Sequence, residues 1–157
     1  MDEIAKDVVR LLIRRKKTLA LAESCTGGFI ANQITNVPGA SKIFLGGIVS
    51  YSNQAKQKFL GVREKTLGQH GAVSKAVARE MAAGARKRFG ADFAIAVTGI
   101  AGPSGGTKTK PTGTVFIALA DAARILVEHK LNQFEREKFK KVTARQALEL
   151  LKTRTRG

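Results

Sequence analysis

The spacing of apolar residues along the chain predicts five helices. Asp2 is placed to cap the first of them, and Ser74 opens the one with the most regular apolar stripe. Asn53 is expected to cap a short helix that continues through Leu60. The other two helices are predicted over residues 29–34 and about 135–152.

Five shorter apolar runs are typical of β-strands and fall at residues 18–22, 43–51, 93–98, 114–120 and 124–131. The third run is almost wholly apolar, as in a central strand that is covered on both faces. The last two runs are joined by a tight turn, so they should pair antiparallel. The order α-β-α-β-α-α-β-β-β-α predicts an α/β fold, a three-layer α/β/α sandwich around a mixed, mostly parallel sheet of about five strands. We expect one domain over residues 1–157.

The composition fits an ordinary globular domain and argues against several classes of site. Hydrophobic residues make up 43% of the 157 residues, which is enough for a proper core. The single cysteine, Cys25, has no partner for an internal disulfide, and with only two histidines a metal site is not expected. No apolar run approaches the ~20 residues that span a bilayer, and the N-terminus lacks a signal-peptide pattern. We therefore expect a cytoplasmic protein that does not use a membrane.

The formal net charge of +16 is the strongest compositional signal. Basic surfaces attract nucleic acids by releasing counterions from the phosphates. The most basic stretch, residues 130–157, also carries a helical apolar stripe, and Phe134 and Phe139 within it fit a core better than a stacking platform for bases. A nucleic-acid partner is compatible with the charge but is not favoured.

Three loops are richer in small and polar residues than simple connections require, and each follows a predicted strand. They span residues 23–28, 50–56 and 98–106. In open α/β sheets ligands bind at the carboxyl ends of the strands, so the three loops should form one pocket. The alternative for each loop taken alone is a turn whose glycines supply positive φ angles.

The first loop offers a nucleophile. Ser24 lies between a strand and a helix, where its side chain points into the cleft and the backbone N–H groups that follow can stabilise an oxyanion. Thr26, Gly27 and Gly28 would supply those groups. Cys25 is a rival nucleophile, but free cysteines are usually buried and adjacent residues of an extended segment point in opposite directions. We expect Cys25 in the core.

Lys56 is the candidate general base, because histidine is scarce. In the first turn of the helix that Asn53 would cap, the helix dipole and desolvation both lower the pKa of an amine and make it a usable base. Tyr51, the only tyrosine, is placed to relay a proton between the lysine, the serine and the leaving group. The alternatives are a solvated lysine and a tyrosine at the edge of the core.

The long glycine-rich loop has neither the Walker A spacing nor the pattern Gly-x-Gly-x-x-Gly of a dinucleotide site. Its backbone N–H groups from residue 102 to residue 106 form a looser nest that suits a single phosphate. Candidates for ribose and phosphate contacts in and around this nest are Thr98, Gly102, Gly105, Lys110 and Arg136.

Several segments together resemble the CinA C-terminal domain family, the nicotinamide-nucleotide amidases, over roughly residues 5–152. The resemblance implies hydrolysis of nicotinamide mononucleotide to nicotinate mononucleotide and ammonia in pyridine-nucleotide salvage. It also implies a serine–lysine mechanism without metal or cofactor, and a homodimer or larger homo-oligomer. The matching stretches are Ala22-Glu-Ser-Cys-Thr-Gly-Gly28, Gly47-Ile-Val-Ser-Tyr-Ser-Asn53 with Lys56, Leu60-Gly-Val62, His70-Gly-Ala-Val-Ser74, Thr98-Gly-Ile-Ala-Gly-Pro103 with Gly105-Gly106, and Lys110-Pro-Thr-Gly-Thr-Val115.

The chain departs from the family pattern in two places. The family usually has Gly-Asp-Arg ahead of its last helix, where this chain has Phe134-Glu135-Arg136, so Arg136 is retained while the local turn should differ. The larger N-terminal domain to which the family domain is often fused does not precede this sequence, so we expect amidase activity alone. Two other hypotheses stay open, a non-catalytic nucleotide- or DNA-binding accessory module and an amidase that acts on a different carboxamide.

Overall fold

Five strands and six α-helices make up the computed structural model, which describes residues 2–157. A 3-10 turn over Ala40–Lys42 lies between α2 and β2. The elements are α1 (Glu3–Arg15), β1 (Leu19–Glu23), α2 (Phe29–Thr35), β2 (Phe44–Val49), α3 (Asn53–Leu60), α4 (Glu64–His70), α5 (Lys75–Phe89), β3 (Phe93–Gly99), β4 (Thr114–Ala120), β5 (Ile125–Leu131) and α6 (Arg136–Arg156).

The strands form one sheet in the order β2-β1-β3-β4-β5. Strand β1 lies parallel to β2 on one side and to β3 on the other, whereas β4 is antiparallel to both of its neighbours. Four of the five strands therefore run in the same direction, and the predicted mixed, mostly parallel sheet is confirmed. The three parallel strands end at Glu23, Val49 and Gly99, so the loops that follow them share one edge of the sheet.

Successive side chains of a strand point to opposite faces of the sheet, and each face packs against a different set of helices. On one face, large side chains such as Leu21, Ile95 and Ile117 pack against α1, α2 and α6. On the other face, alanines such as Ala96 and Ala118 pack against α5, with α3 and α4 beside it. The predicted three-layer α/β/α arrangement is confirmed, and the small residues explain how α5 approaches the sheet closely.

The predicted caps at Asp2 and Ser74 are confirmed. The side chain of Asp2 accepts a hydrogen bond from the backbone N–H of Ile4, and that of Ser74 from the backbone N–H of Val77, each at 3.2 Å. Both bonds satisfy N–H groups that have no partner within the helix. These two caps fix where α1 and α5 begin.

The prediction that Asn53 caps α3 is wrong by one residue. Ser52 has extended backbone angles, and its Oγ accepts a hydrogen bond from the backbone N–H of Ala55 at 3.1 Å. Asn53 is instead the first helical residue. Serine and asparagine are comparable caps, so the sequence alone does not separate the two registers.

Helix α4 is an element that the apolar pattern does not predict. It has seven residues, no side-chain cap at Arg63, and an internal glycine, Gly68. It buries only Thr66 and Leu67, so there is no apolar stripe to detect. Among residues 2–157, no helix is both long enough and apolar enough to cross a membrane.

Candidate active site

Glu23 organises the loop that follows β1. Its side chain is 2% exposed, and its carboxylate accepts hydrogen bonds from Thr26 Oγ1 at 2.6 Å and from the backbone N–H groups of Ile30 and Ala31 at 2.9 and 3.0 Å. Two N–H groups at the start of α2 therefore have a partner. Because the loop is tied to α2 in this way, the position of Ser24 at the end of the strand is fixed.

Ser24 and Lys56 meet at the edge of the sheet where the parallel strands end. Lys56 lies on α3 and reaches back across the β2 connection, so that its Nζ is 3.0 Å from Ser24 Oγ. The same Nζ donates a hydrogen bond to the backbone carbonyl of Ser50 at 2.8 Å. Both members of the pair are buried, with 8% of Ser24 and 2% of Lys56 exposed.

The environment of Lys56 favours the uncharged amine. Burial lowers its pKa below the ordinary value, and the nearby Cys25 opposes this shift only in part. No carboxylate within residues 2–157 forms an ion pair with Lys56. A buried lysine with a lowered pKa and a serine hydroxyl at hydrogen-bond distance can act as a base and a nucleophile.

Cys25 lies in the hydrophobic core and is 6% exposed, although it also contributes to the wall of the cavity beside Ser24. Burial raises the pKa of its thiol to about 12. The thiolate is the reactive form of cysteine, so Cys25 is a poor nucleophile here. Of the two adjacent candidates, only Ser24 is hydrogen-bonded to Lys56.

A cavity of about 260 Å³ opens in front of the pair. It brings together residues from all three predicted loops and from the start of α6. Two larger surface cavities, of about 440 and 550 Å³, lie at the β4–β5 turn and between α2 and α6. The predicted site residues that line the cavity at the pair are Ser24, Tyr51, Lys56, Thr98, Gly102, Gly105 and Arg136.

Arg136 forms the outer wall of this cavity. Its Nη2 donates to the backbone carbonyl of Gly102 at 2.6 Å, and its Nη1 donates to Tyr51 Oη at 3.3 Å. Glu135 caps α6, since its carboxylate accepts hydrogen bonds from the backbone N–H groups of Glu137 and Lys138 at 3.0 and 2.8 Å. The altered Phe134-Glu135-Arg136 stretch thus supplies its own helix cap and places the guanidinium over the cavity.

Three other predicted residues lie outside the cavity wall. Thr26 is fully buried, and its hydroxyl donates a hydrogen bond to the Glu23 carboxylate. Gly27 and Gly28 have positive φ angles of 58° and 99°, which residues with a side chain adopt only with strain. The N–H of Gly27 donates to the carbonyl of Ser24 at 3.0 Å, so this amide is engaged in the turn. The N–H groups of Thr26 and Gly28 donate to no backbone carbonyl in the described residues.

Thr98 and Lys110 each donate a hydrogen bond to the backbone at or just after the end of α4. Thr98 Oγ1 donates to the carbonyl of Ala72 at 2.8 Å, and Lys110 Nζ donates to the carbonyl of His70 at 2.6 Å. Thr98 still lines the cavity, whereas Lys110 does not. The described part of the chain contains no group of three or more His, Cys, Asp or Glu side chains arranged to hold a metal ion.

Sequence reasoning did not assign a role to Glu23, Ser50 or Asn53. Glu23 carried a detectable signal, because it is a charged residue placed directly after an apolar strand. Ser50 contributes through its backbone carbonyl, which any residue at that position would provide. Asn53 lines the cavity from the first turn of α3, where the sequence indicated only a cap.

The fold and the site together define a class of protein, namely three-layer α/β/α domains with a buried serine–lysine pair where the parallel strands end. The chain belongs to the CinA C-terminal domain family, whose model matches residues 1–155.

Two curated relatives illustrate the similarity. A CinA-like protein of Thermotoga maritima is 49% identical over 157 residues, which is 100% of this chain and 38% of that protein. A CinA-like protein of Geobacter sulfurreducens is 52% identical over 147 residues, or 94% of this chain and 36% of that protein. The chain therefore spans little more than a third of the length of these relatives.

Solved structures agree with the fold. A CinA superfamily protein from Klebsiella pneumoniae superposes with a TM-score of 0.94 at 36% identity, covering 98% of this chain and 96% of that one. The competence/damage inducible protein CihA from Agrobacterium tumefaciens superposes with a TM-score of 0.90 at 39% identity, covering 96% and 95%.

Proposed function

We propose that this domain is an amidohydrolase that converts nicotinamide mononucleotide to nicotinate mononucleotide and ammonia. The observation that carries the proposal is the position of Lys56 Nζ, 3.0 Å from Ser24 Oγ, with both residues buried and a cavity in front of them. A nucleophile held by an adjacent base at this distance is the arrangement that acyl transfer requires.

The reaction begins with the proton of Ser24. Neutral Lys56 takes it while Ser24 Oγ attacks the carboxamide carbon, and a C–O bond forms as the carbonyl becomes an oxyanion. The cationic pyridinium makes that carbon more electrophilic. Backbone N–H groups that follow Ser24 are the candidates for holding the oxyanion, and the Gly27 amide is the least available of them because it already donates to the Ser24 carbonyl.

The carbon–nitrogen bond of the amide breaks next. The ammonium of Lys56 returns its proton to the departing nitrogen, with Tyr51 on the cavity wall as the proposed relay, and ammonia leaves. A water molecule then attacks the ester on Ser24. Lys56 takes a proton from this water and returns one to Ser24 Oγ, which restores the resting enzyme.

Arg136 supports a nucleotide rather than a simple amide as substrate. Its guanidinium faces the cavity and is paired with no carboxylate in residues 2–157, so its charge is available to a phosphate. The adjacent loop that contains Gly102 and Gly105 brings further backbone groups to the same place.

Product analysis tests the substrate assignment. Purified protein is incubated with nicotinamide mononucleotide in the presence of a chelator, and ammonia and nicotinate mononucleotide are both quantified. Equal amounts of the two products are expected, with much slower turnover of nicotinamide, which lacks ribose and phosphate. No release from folded protein, or equal rates for the two substrates, would overturn the proposed substrate.

A further inference from the structure

Ser50 carries a buried hydroxyl that the fold does not use. The residue is fully buried, and its Oγ has no hydrogen-bond partner within residues 2–157. The backbone of the same residue is fully engaged, since its N–H donates to the Glu23 carbonyl at 2.8 Å and its own carbonyl accepts from Lys56 Nζ at 2.8 Å. A buried hydroxyl without a partner costs free energy, so its presence beside the lysine needs an explanation.

The number of N–H groups on Lys56 explains why an additional acceptor is present. A neutral amine has two N–H groups and one lone pair, whereas an ammonium has three N–H groups and no lone pair. For Lys56 to accept the serine proton, the lone pair of the neutral amine has to face Ser24 Oγ, 3.0 Å away, while one N–H donates to the Ser50 carbonyl at 2.8 Å. When Lys56 has taken the serine proton, Ser24 Oγ and the Ser50 carbonyl account for two N–H groups. The third then needs an acceptor in a buried site.

We propose that Ser50 Oγ is this third acceptor, and that Ser50 is a positioning residue that stabilises the ammonium formed during acylation. This inference rests on the proposed serine–lysine mechanism. The hydroxyl belongs to the residue whose carbonyl already accepts from Lys56 Nζ, and rotation about χ1 between staggered positions is the movement that redirects Oγ. Ser50 makes no bond to the substrate in this scheme and acts through Lys56, whose Nζ it contacts.

Four other side chains of the site are less suited to this role. Cys25, Tyr51 and Arg136 line the same cavity, and Glu23 is buried beneath the loop with Thr26 and the start of α2 as its partners. The Cys25 thiol is a weak acceptor, and the guanidinium of Arg136 only donates. Tyr51 Oη accepts a hydrogen bond from Arg136 and is largely exposed.

A pH profile of kcat/KM separates this role from a structural one. At low pH the ground state and the transition state both hold an ammonium, so wild type and Ser50→Ala should react at the same rate. On the plateau at higher pH, only the transition state contains the ammonium that Ser50 would stabilise. There kcat/KM of the variant should be about tenfold lower. The pH at which the rate levels off to its plateau should therefore be lower in the variant. A parallel loss at every pH would overturn the proposal.

A direct titration of Lys56 keeps the test independent of the substrate. Lysine labelled with ¹³C is followed by NMR in wild type and Ser50→Ala, with Lys56→Met to assign the signal and the exposed Ser41→Ala as control. The pKa of Lys56 should fall in Ser50→Ala and in Ser50→Cys, whose thiol is a weak acceptor, but not in Ser41→Ala. An unchanged pKa would overturn the role of Ser50 even if nicotinamide mononucleotide is turned over. A lowered pKa without turnover would instead count against the proposed substrate alone.

The unfolding midpoints of wild type and Ser50→Ala provide a third test. Removal of a hydroxyl that has no partner in the resting state should leave the midpoint of Ser50→Ala unchanged or raise it. A large decrease would show that Ser50 Oγ is needed for folding, and would contradict the proposal.

Discussion

In the proposed mechanism, Lys56 is the residue on which the chemistry depends most. A lysine that is 2% exposed and has no carboxylate partner is costly to bury as an ammonium, and its pKa is lowered accordingly. Its Nζ nevertheless has two oxygen neighbours, Ser24 Oγ and the carbonyl of Ser50. An amine so placed is held ready to accept a proton from the serine.

Replacement of Lys56 by methionine should remove the base while keeping a side chain of similar length. We expect kcat/KM to fall by about 10²- to 10⁴-fold, measured as ammonia release. Lys58→Met, on the exposed side of the same helix, is the matched control and should keep its activity. Activity of Lys56→Met close to that of wild type would refute the role of the lysine.

The pH dependence follows from the lowered pKa of Lys56. Only the neutral amine accepts the serine proton, so activity should be present above this pKa and lost as the pH falls through it. The free energy of unfolding changes with pH in the same direction. Between the lowered pKa of Lys56 in the folded protein and its ordinary value of 10.5, the unfolded chain binds more protons than the folded one, so stability rises with pH. Rates measured across this range should rise with a single ionisation, and activity that falls as the pH rises through it would contradict a neutral base.

Among the individual residues, those whose chemistry is unusual for a loop are predictable from the sequence. Ser24 and Lys56 were predicted because each follows a strand and because no histidine was available as base. The contribution of Glu23 was not predicted, since it depends on three donors that only the folded loop brings together. The Ser50 carbonyl is a backbone group and carries no sequence signal.

At the scale of elements, the contact between α3 and α5 positions the base. Gly84 lies within α5 against the backbone of Leu60, the last residue of α3, and a Cβ at Gly84 would collide with the Leu60 carbonyl. Lys56 is one turn away from Leu60 on the same helix. The close approach allowed by this glycine therefore helps to set the position of Nζ.

Gly84→Ala should destabilise the protein although alanine is the better helix former. The added methyl forces α3 away from α5, and we expect a loss of about 1–3 kcal/mol in the free energy of unfolding, measured with urea, together with a lower kcat. Gly68→Ala in α4 is the control, because a Cβ there meets nothing within 4 Å. It should raise the free energy of unfolding by roughly 0.5–1 kcal/mol. Equal effects of the two substitutions would contradict the contact.

The elements that sequence reasoning placed well have strong local signals. Ser74 precedes a long apolar stripe, and the run from residue 93 is buried along nearly its whole length. Helix α4 was missed because its seven residues are held by packing against α5 rather than by a cap or a stripe. The cap of α3 was misplaced because Ser52 and Asn53 are equally suitable and backbone geometry decides between them.

For the molecule as a whole, the charge of +16 is compatible with a nucleic-acid module, and salt dependence separates that hypothesis from the amidase. A complex that rests on several phosphate contacts loses about 10³- to 10⁵-fold in affinity between about 50 and 200 mM salt. We expect any association with DNA to weaken in this way, while turnover of nicotinamide mononucleotide in the cavity changes little. DNA binding that persists at high salt and competes with nicotinamide mononucleotide would favour the hypothesis of a nucleic-acid module.

Ser24 and Cys25 are adjacent, so their alanine variants show which of the two side chains is the nucleophile. Release of ammonia from nicotinamide mononucleotide is measured for both variants, with folding checked by circular dichroism. The serine–lysine account predicts that Ser24→Ala loses turnover by about 10⁴-fold or more, whereas Cys25→Ala retains it. Turnover that survives in Ser24→Ala and disappears in Cys25→Ala would show that the nucleophile is the thiol, and would contradict the account.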